Sequence, residues 1–127
     1  MAEPARSIEP QPAADSGAKP TPVILLVDDD EITRTGMTGR LKRLGYRVVE
    51  AGDGNAGLAA IRAQRPDLII LDWMMPGMDG PSVCETIRAD PDLKSSQVVL
   101  MTAHDRPEQI AEGLSRGADD FLSKAAS

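Results

Sequence analysis

The sequence predicts an α/β fold, a doubly wound parallel sheet with helices on both faces. Two observations carry this. Short unbroken aliphatic runs recur along the chain, VILLV at Val23–Val27, LIIL at Leu68–Leu71 and VVLM at Val98–Met101. Each has the length and character of a strand buried on both faces. The segments between the strands carry apolar residues at helical spacing and are long enough for the crossovers that parallel pairing requires.

Taken in order, residues 1–22 hold Pro4, Pro10, Pro12, Pro20 and Pro22 among Ala, Ser and Gln. Such a segment has little apolar bulk to offset the entropy of ordering, so a disordered leader is expected over 1–22 and a folded domain over 23–127. Val23–Val27 is the first strand. Ile32, Met37, Leu41 and Leu44 then form a helical stripe, which Gly45 stops. Gly36 and Gly39 lie inside that helix, each costing roughly 1 kcal/mol relative to Ala. Arg47–Ala51 is the second strand, and Asp53 can cap a helix over Asn55–Arg65 that Pro66 closes. After the third strand, Pro81 suits the first turn of a helix with Val83, Cys84 and Ile87 on one side. The fourth strand precedes Asp105 and Glu108, a capping pair for a helix carrying Ile110, Ala111 and Leu114 and ended by Gly117. Asp120–Ser123 is the last strand. Only Lys124–Ser127 remain, so no helix is expected to cover that edge of the sheet.

Composition narrows the function classes. Tyr46, Trp73 and Phe121 are the only aromatic residues, so the core must be built from Val, Ile, Leu, Met and Ala. A net charge of -6 argues against nucleic-acid binding by this segment. Cys84 is the single cysteine and cannot form an internal disulfide, so a reducing compartment is the default. The amino terminus lacks the blocks of a signal peptide, and no apolar run approaches membrane-spanning length. A soluble cytoplasmic domain is expected.

In a parallel sheet every strand delivers its carboxyl end to one rim, where ligands bind. Strand one ends in Asp28, Asp29, Asp30 and Glu31, strand three in Asp72, strand four in Thr102 and strand five in Lys124. Carboxylates gathered there repel one another, and a hard divalent cation such as Mg2+ relieves the repulsion. Asp28, Asp29 and Asp72 are the expected metal set, while Asp30 and Glu31 read as a turn and helix cap. A carboxylate such as Asp72 can attack a phosphoryl group and hold it as an acyl phosphate, with Thr102 and Lys124 as donors to its oxygens. His104 is expected to be a solvent-facing loop residue, Cys84 a core thiol, and Met74, Met75 and Met78 turn and core packing.

The stretches VILLVDDDE, DLIILDWMMPGMDG, VVLMTA and GADDFLSK, spread in that order over residues 23–124, resemble the receiver domain of two-component response regulators. The resemblance implies a flavodoxin-like five-stranded sheet of order 2-1-3-4-5. It implies Asp72 as phospho-acceptor, Asp29 and the main-chain carbonyl of Met74 as Mg2+ ligands, and Asp28 holding the ion largely through water. Thr102 and Lys124 would contact the phosphoryl group, and Thr102 with Phe121 would form a switch pair. Met74 and His104 would flank the path of the water that ends the phosphorylated state. The donor would be a sensor histidine kinase or a histidine phosphotransfer protein, and the output an effector domain or homodimer. The domain would catalyse its own phosphorylation and dephosphorylation without being a metabolic enzyme. Two departures stand out: Ala125 follows Lys124 where the family has proline, and the family's fifth helix has no counterpart here, as in a piece of a longer protein.

Two other readings compete. A Mg2+-dependent phosphohydrolase of the haloacid dehalogenase type also uses an aspartyl phosphate, and its Asp-x-Asp motif can be read in Asp28-Asp29-Asp30. Its lysine, however, should precede an acidic motif such as Gly117–Asp120, and Lys124 follows it. A non-phosphorylated interaction module would not require the full set of acidic, Thr and Lys positions.

Overall fold

Alternating aliphatic strands and amphipathic helices close into one sheet in the computed structural model, which describes residues 21–103 and 106–124. Most of the expected leader, together with His104, Asp105 and Ala125–Ser127, lies outside the described residues. The element order is β1 (Val23–Val27), α1 (Glu31–Arg43), β2 (Arg47–Ala51), α2 (Gly54–Gln64), β3 (Leu68–Asp72), α3 (Gly80–Ala89), β4 (Val98–Thr102), α4 (Pro107–Ser115) and β5 (Asp120–Ser123). All pairings are parallel, in the order β2-β1-β3-β4-β5. The chain order reverses beside β1, so the ends of β1 and β3 border a crevice.

Successive strand residues point to opposite faces, and both faces are covered. Leu25, Val27, Ile69, Leu71 and Leu100 pack with Leu58, Ile61, Val83, Cys84 and Ile87 of α2 and α3. Ile24, Leu26, Ile70 and Met101 pack on the other face with Met37 and Leu41 of α1. The expected aliphatic core is present, with Cys84 fully buried inside it.

The helix starts follow from capping. Asp53 accepts from Ala56 N at 2.8 Å, as its sequence position predicts, and Asp79 does the same for Ser82 N at 2.9 Å. Gly45 follows α1 at φ 102°, a left-handed conformation that favours glycine.

Three expectations are corrected. The stripe on α1 is not uniformly buried: Ile32 is 84% and Leu44 74% exposed, because Ile32 sits on the first turn and Leu44 beyond the last. Both line a groove of about 620 Å³ with Leu122. On α4, Ala111 and Leu114 are exposed and the buried position is Gly113, against which the Phe121 ring packs. The expected cap of α4 also shifts. The N-cap is Arg106, which makes no side-chain capping bond, and Pro107 opens the helix.

Candidate functional site

The sheet delivers the chemistry-bearing residues to one rim. Asp72 and Thr102 are the last residues of β3 and β4, each strand running one residue further than its aliphatic run. Asp28 follows β1 directly, its N–H donating to Ala51 O at 3.1 Å and so extending the ladder. Lys124 follows β5.

These positions converge. Oxygens of Asp28, Asp29 and Asp72 lie within 4.8 Å of one another, with Asp28 and Asp72 buried and Asp29 exposed. The Lys124 ammonium stands 3.2 Å from Asp72 Oδ1 and 3.4 Å from Asp28 Oδ2. Burial first, and the neighbouring Asp28 carboxylate second, push Asp72 up to about 6 against the pull of Lys124. For Lys124, burial works against the charge, but the two carboxylates outweigh it and raise its pKa. Thr102 is buried, pairs in register with Ser123, and stands two strands from the first aspartates.

A divalent cation suits this donor set. Asp28 Oδ2 is buried and makes no hydrogen bond, its ion pair with Lys124 apart. One ammonium shared between Asp28 and Asp72 leaves three grouped carboxylates with excess negative charge, which a divalent cation offsets. The three carboxylates offer only hard oxygen donors, the preference of Mg2+ rather than of a thiolate- or imidazole-seeking metal.

Asp30 and Glu31, expected to stay outside the set, do so. Asp30 turns away to cap α1, accepting from Ile32 N at 3.1 Å and Thr33 Oγ1 at 2.7 Å. The hydrogen bond from Thr33, first among several causes, holds its carboxyl below the usual range. Glu31 is the first residue of α1. His104 lies outside the described residues. The methionines divide: Met75 is buried and Met78 half-buried, but Met74, two residues after Asp72, is 67% exposed, so packing does not account for it.

Asp72 is held from below by residues the sequence reading did not single out. Gly80 N donates to Trp73 O at 2.8 Å, and a Cβ at Gly80 would stand 2.5 Å from Asp72 O and 3.0 Å from Trp73 Cα. Only glycine allows the start of α3 to approach the backbone of Asp72 and Trp73 so closely. The signal was legible as Asp79-Gly80-Pro81, a cap residue ahead of proline at a helix start. Trp73 lies buried beneath the loop, its ring centroid 6.0 Å from that of the half-buried Phe121, inclined at 43°.

Comparison with known proteins follows the same lines. The family model for the response regulator receiver domain matches residues 24–127. The chain is 44% identical over 103 residues to the transcriptional regulatory protein AfsQ1 of Streptomyces coelicolor, covering 81% of this chain and 44% of AfsQ1. It therefore spans less than half the length of that relative. Among solved structures, the chemotaxis protein CheY4 of Vibrio cholerae superposes with a TM-score of 0.79 at 32% identity, over 83% of this chain and 88% of that one. The Mn2+-bound form of response regulator Rcp1 gives a TM-score of 0.74 at 29% identity, over 84% and 83%.

Proposed function

The chain belongs to the response regulator receiver domain family, the phosphorylation switch of two-component signalling, and on that premise we propose that Asp72 is its phospho-acceptor. One observation carries the assignment: a buried carboxylate at the carboxyl end of a central strand, 3.2 Å from the Lys124 ammonium and grouped with Asp28 and Asp29.

The reaction follows from the residues. A carboxylate oxygen of Asp72 attacks the phosphorus of a phosphohistidine on a sensor kinase or phosphotransfer protein. The P–N bond breaks, its electron pair stays on the imidazole nitrogen, which takes up a proton, and an acyl phosphate forms. Lys124 neutralises charge on the transferring group, and Thr102 donates its hydroxyl to another phosphoryl oxygen. Asp28, Asp29 and Asp72 and, by the family resemblance, the main-chain carbonyl of Met74 would hold Mg2+, which would supply the remaining charge neutralisation; the Mn2+-bound form of Rcp1 supports a divalent cation in such a domain.

Thr102 drawn to the phosphoryl group vacates space toward which the Phe121 ring moves, so α4 and β5 carry the signal outward. The receiver of that signal is an effector domain or a second copy, a reading supported by the greater length of AfsQ1. Water attacking the acyl phosphate in line restores Asp72, so the domain makes and breaks its own phosphoryl bond without a metabolic substrate. Among the described residues no helix is long and apolar enough to cross a membrane, and we assign the work to the cytoplasm. The phosphohydrolase alternative has no support: the family match is to receiver domains, and Asp30, the second acid of its motif, is spent on capping α1.

Incubation with acetyl phosphate and Mg2+ tests the reading. The intact protein should gain one phosphoryl group, stable in acid and lost in base, and Asp72→Asn should gain none. Equal uptake by Asp72→Asn would refute the assignment.

A further inference from the structure

We propose that Arg34 of α1 is a positioning residue for the cation-binding carboxylates, acting through the main chain of the β1–α1 turn. Its Nη1 donates to Asp28 O at 2.6 Å, and its Nε to Glu50 Oε1 at 2.9 Å. The carbonyl that it holds belongs to the peptide unit joining Asp28 to Asp29. A peptide unit is planar, so fixing its oxygen fixes its rotation, and with it the directions in which both carboxylates leave the backbone. Asp30 N donates back to Asp28 Oδ1 at 2.9 Å, which turns the other oxygen, Oδ2, toward Asp72 and Lys124. Glu50, the residue before the end of β2, holds the other edge of the guanidinium, so the turn is referenced to a neighbouring strand as well as to its own helix.

A surface ion pair would be the ordinary account of Arg34 and Glu50, and such pairs contribute little. Two features go beyond it. The Arg34 side chain is only 18% exposed, and its shortest bond goes to a main-chain oxygen of the site rather than to Glu50. Lysine at this position retains the charge but cannot reproduce the planar fork that serves two acceptors at once. Groups that orient metal ligands typically change affinity by roughly 10- to 100-fold when removed.

The inference rests on the cation reading above, and its test separates the two. Mg2+ is titrated into the phosphate-free protein and followed by Trp73 emission, with melting temperature measured in parallel. Arg34→Gln should weaken Mg2+ binding by about 10-fold or more, Arg34→Lys by less, and Glu50→Gln by about 2- to 5-fold. A merely structural Arg34 would lower the melting temperature and leave Mg2+ affinity of the folded variants within 2-fold of the parent, which overturns the proposal. If the Arg34 variants do not fold, Glu50→Gln, at a half-exposed carboxylate, decides alone: weakened binding supports the inference and unchanged binding overturns it. A parent that binds no Mg2+ refutes the cation reading itself, and the inference with it.

Discussion

Replacing Gly113 with Ala tests how the ring of Phe121 is held, and Gly36→Ala supplies the control. Both glycines lie inside helices, where alanine is favoured by roughly 1 kcal/mol. A Cβ at Gly36 meets no heavy atom within 4 Å, so Gly36→Ala should realise about 0.5–1 kcal/mol and raise the melting temperature by roughly 2–8 °C. A Cβ at Gly113 would stand 2.6 Å from Phe121 Cζ and 2.9 Å from Leu100 Cδ1. Carbon atoms rest about 3.5–4.0 Å apart, so something must give by close to 1 Å. Leu100 is fully buried and cannot, whereas the half-buried Phe121 ring can swing outward. That movement sacrifices the contact with Trp73, about 0.5–1.5 kcal/mol, and re-exposes part of a ring whose full burial contributes roughly 1.5–3 kcal/mol. Set against the helical gain, Gly113→Ala should be destabilising by about 1 kcal/mol, opposite in sign to Gly36→Ala. Thermal unfolding by circular dichroism gives the sign, and Trp73 emission reports the lost ring contact. If Gly113→Ala stabilises like Gly36→Ala and leaves Trp73 emission unchanged, the ring does not rest against α4 and the route from Phe121 to that helix is wrong.

Three further outcomes are expected. Millimolar Mg2+ should change Trp73 emission in the parent and not in Asp28→Asn/Asp72→Asn, since Trp73 adjoins the acceptor; an unchanged parent signal together with no calorimetric binding would remove the cation site. In metal-free protein Asp72 titrates at about 6 rather than the ordinary 3.8, so the native state keeps a proton there that the unfolded chain has released. Stability in urea should therefore fall as pH rises from about 4 to about 6 and level off above, and Asp72→Asn should flatten that decline; an unaltered pH profile in the variant would assign it elsewhere. Met74, exposed two residues after the acceptor, cannot orient water, so Met74→Asn should shorten the phosphoryl lifetime by about 3- to 10-fold, well short of the effect of a true general base. Unchanged decay in that variant would mean that water entry past this position does not limit the reaction.

Much of this molecule was legible in its sequence, because a buried parallel strand leaves an unambiguous mark. VILLV, LIIL and VVLM are aliphatic without alternation since residues from both faces of these strands enter the core, and the five strands lie where these runs and their weaker partners predict. The acidic, Thr and Lys positions were legible for a related reason: strand ends on one rim must converge whatever lies between them. Side-chain direction on the helices was not. Ile32, Leu44 and Leu114 have helical spacing yet are exposed, because periodicity does not reveal which elements reach a given turn. The acceptor loop's support was also obscure. Gly80 matters through a close approach of two backbones, of which Asp79-Gly80-Pro81 marks only the helix start, and Arg34 through a bond to a main-chain carbonyl, which leaves no pattern of residue types.

Borohydride trapping reads out which residue carries the phosphoryl group. Acyl phosphates are reduced by borohydride to the alcohol, so the phosphorylated residue is converted to homoserine while free carboxylates survive. After phosphorylation with acetyl phosphate and Mg2+, peptide mapping should find homoserine at position 72 and nowhere else. Homoserine at Asp28 or Asp29, with Asp72 intact, would mean that Asp72 does not carry the phosphoryl group.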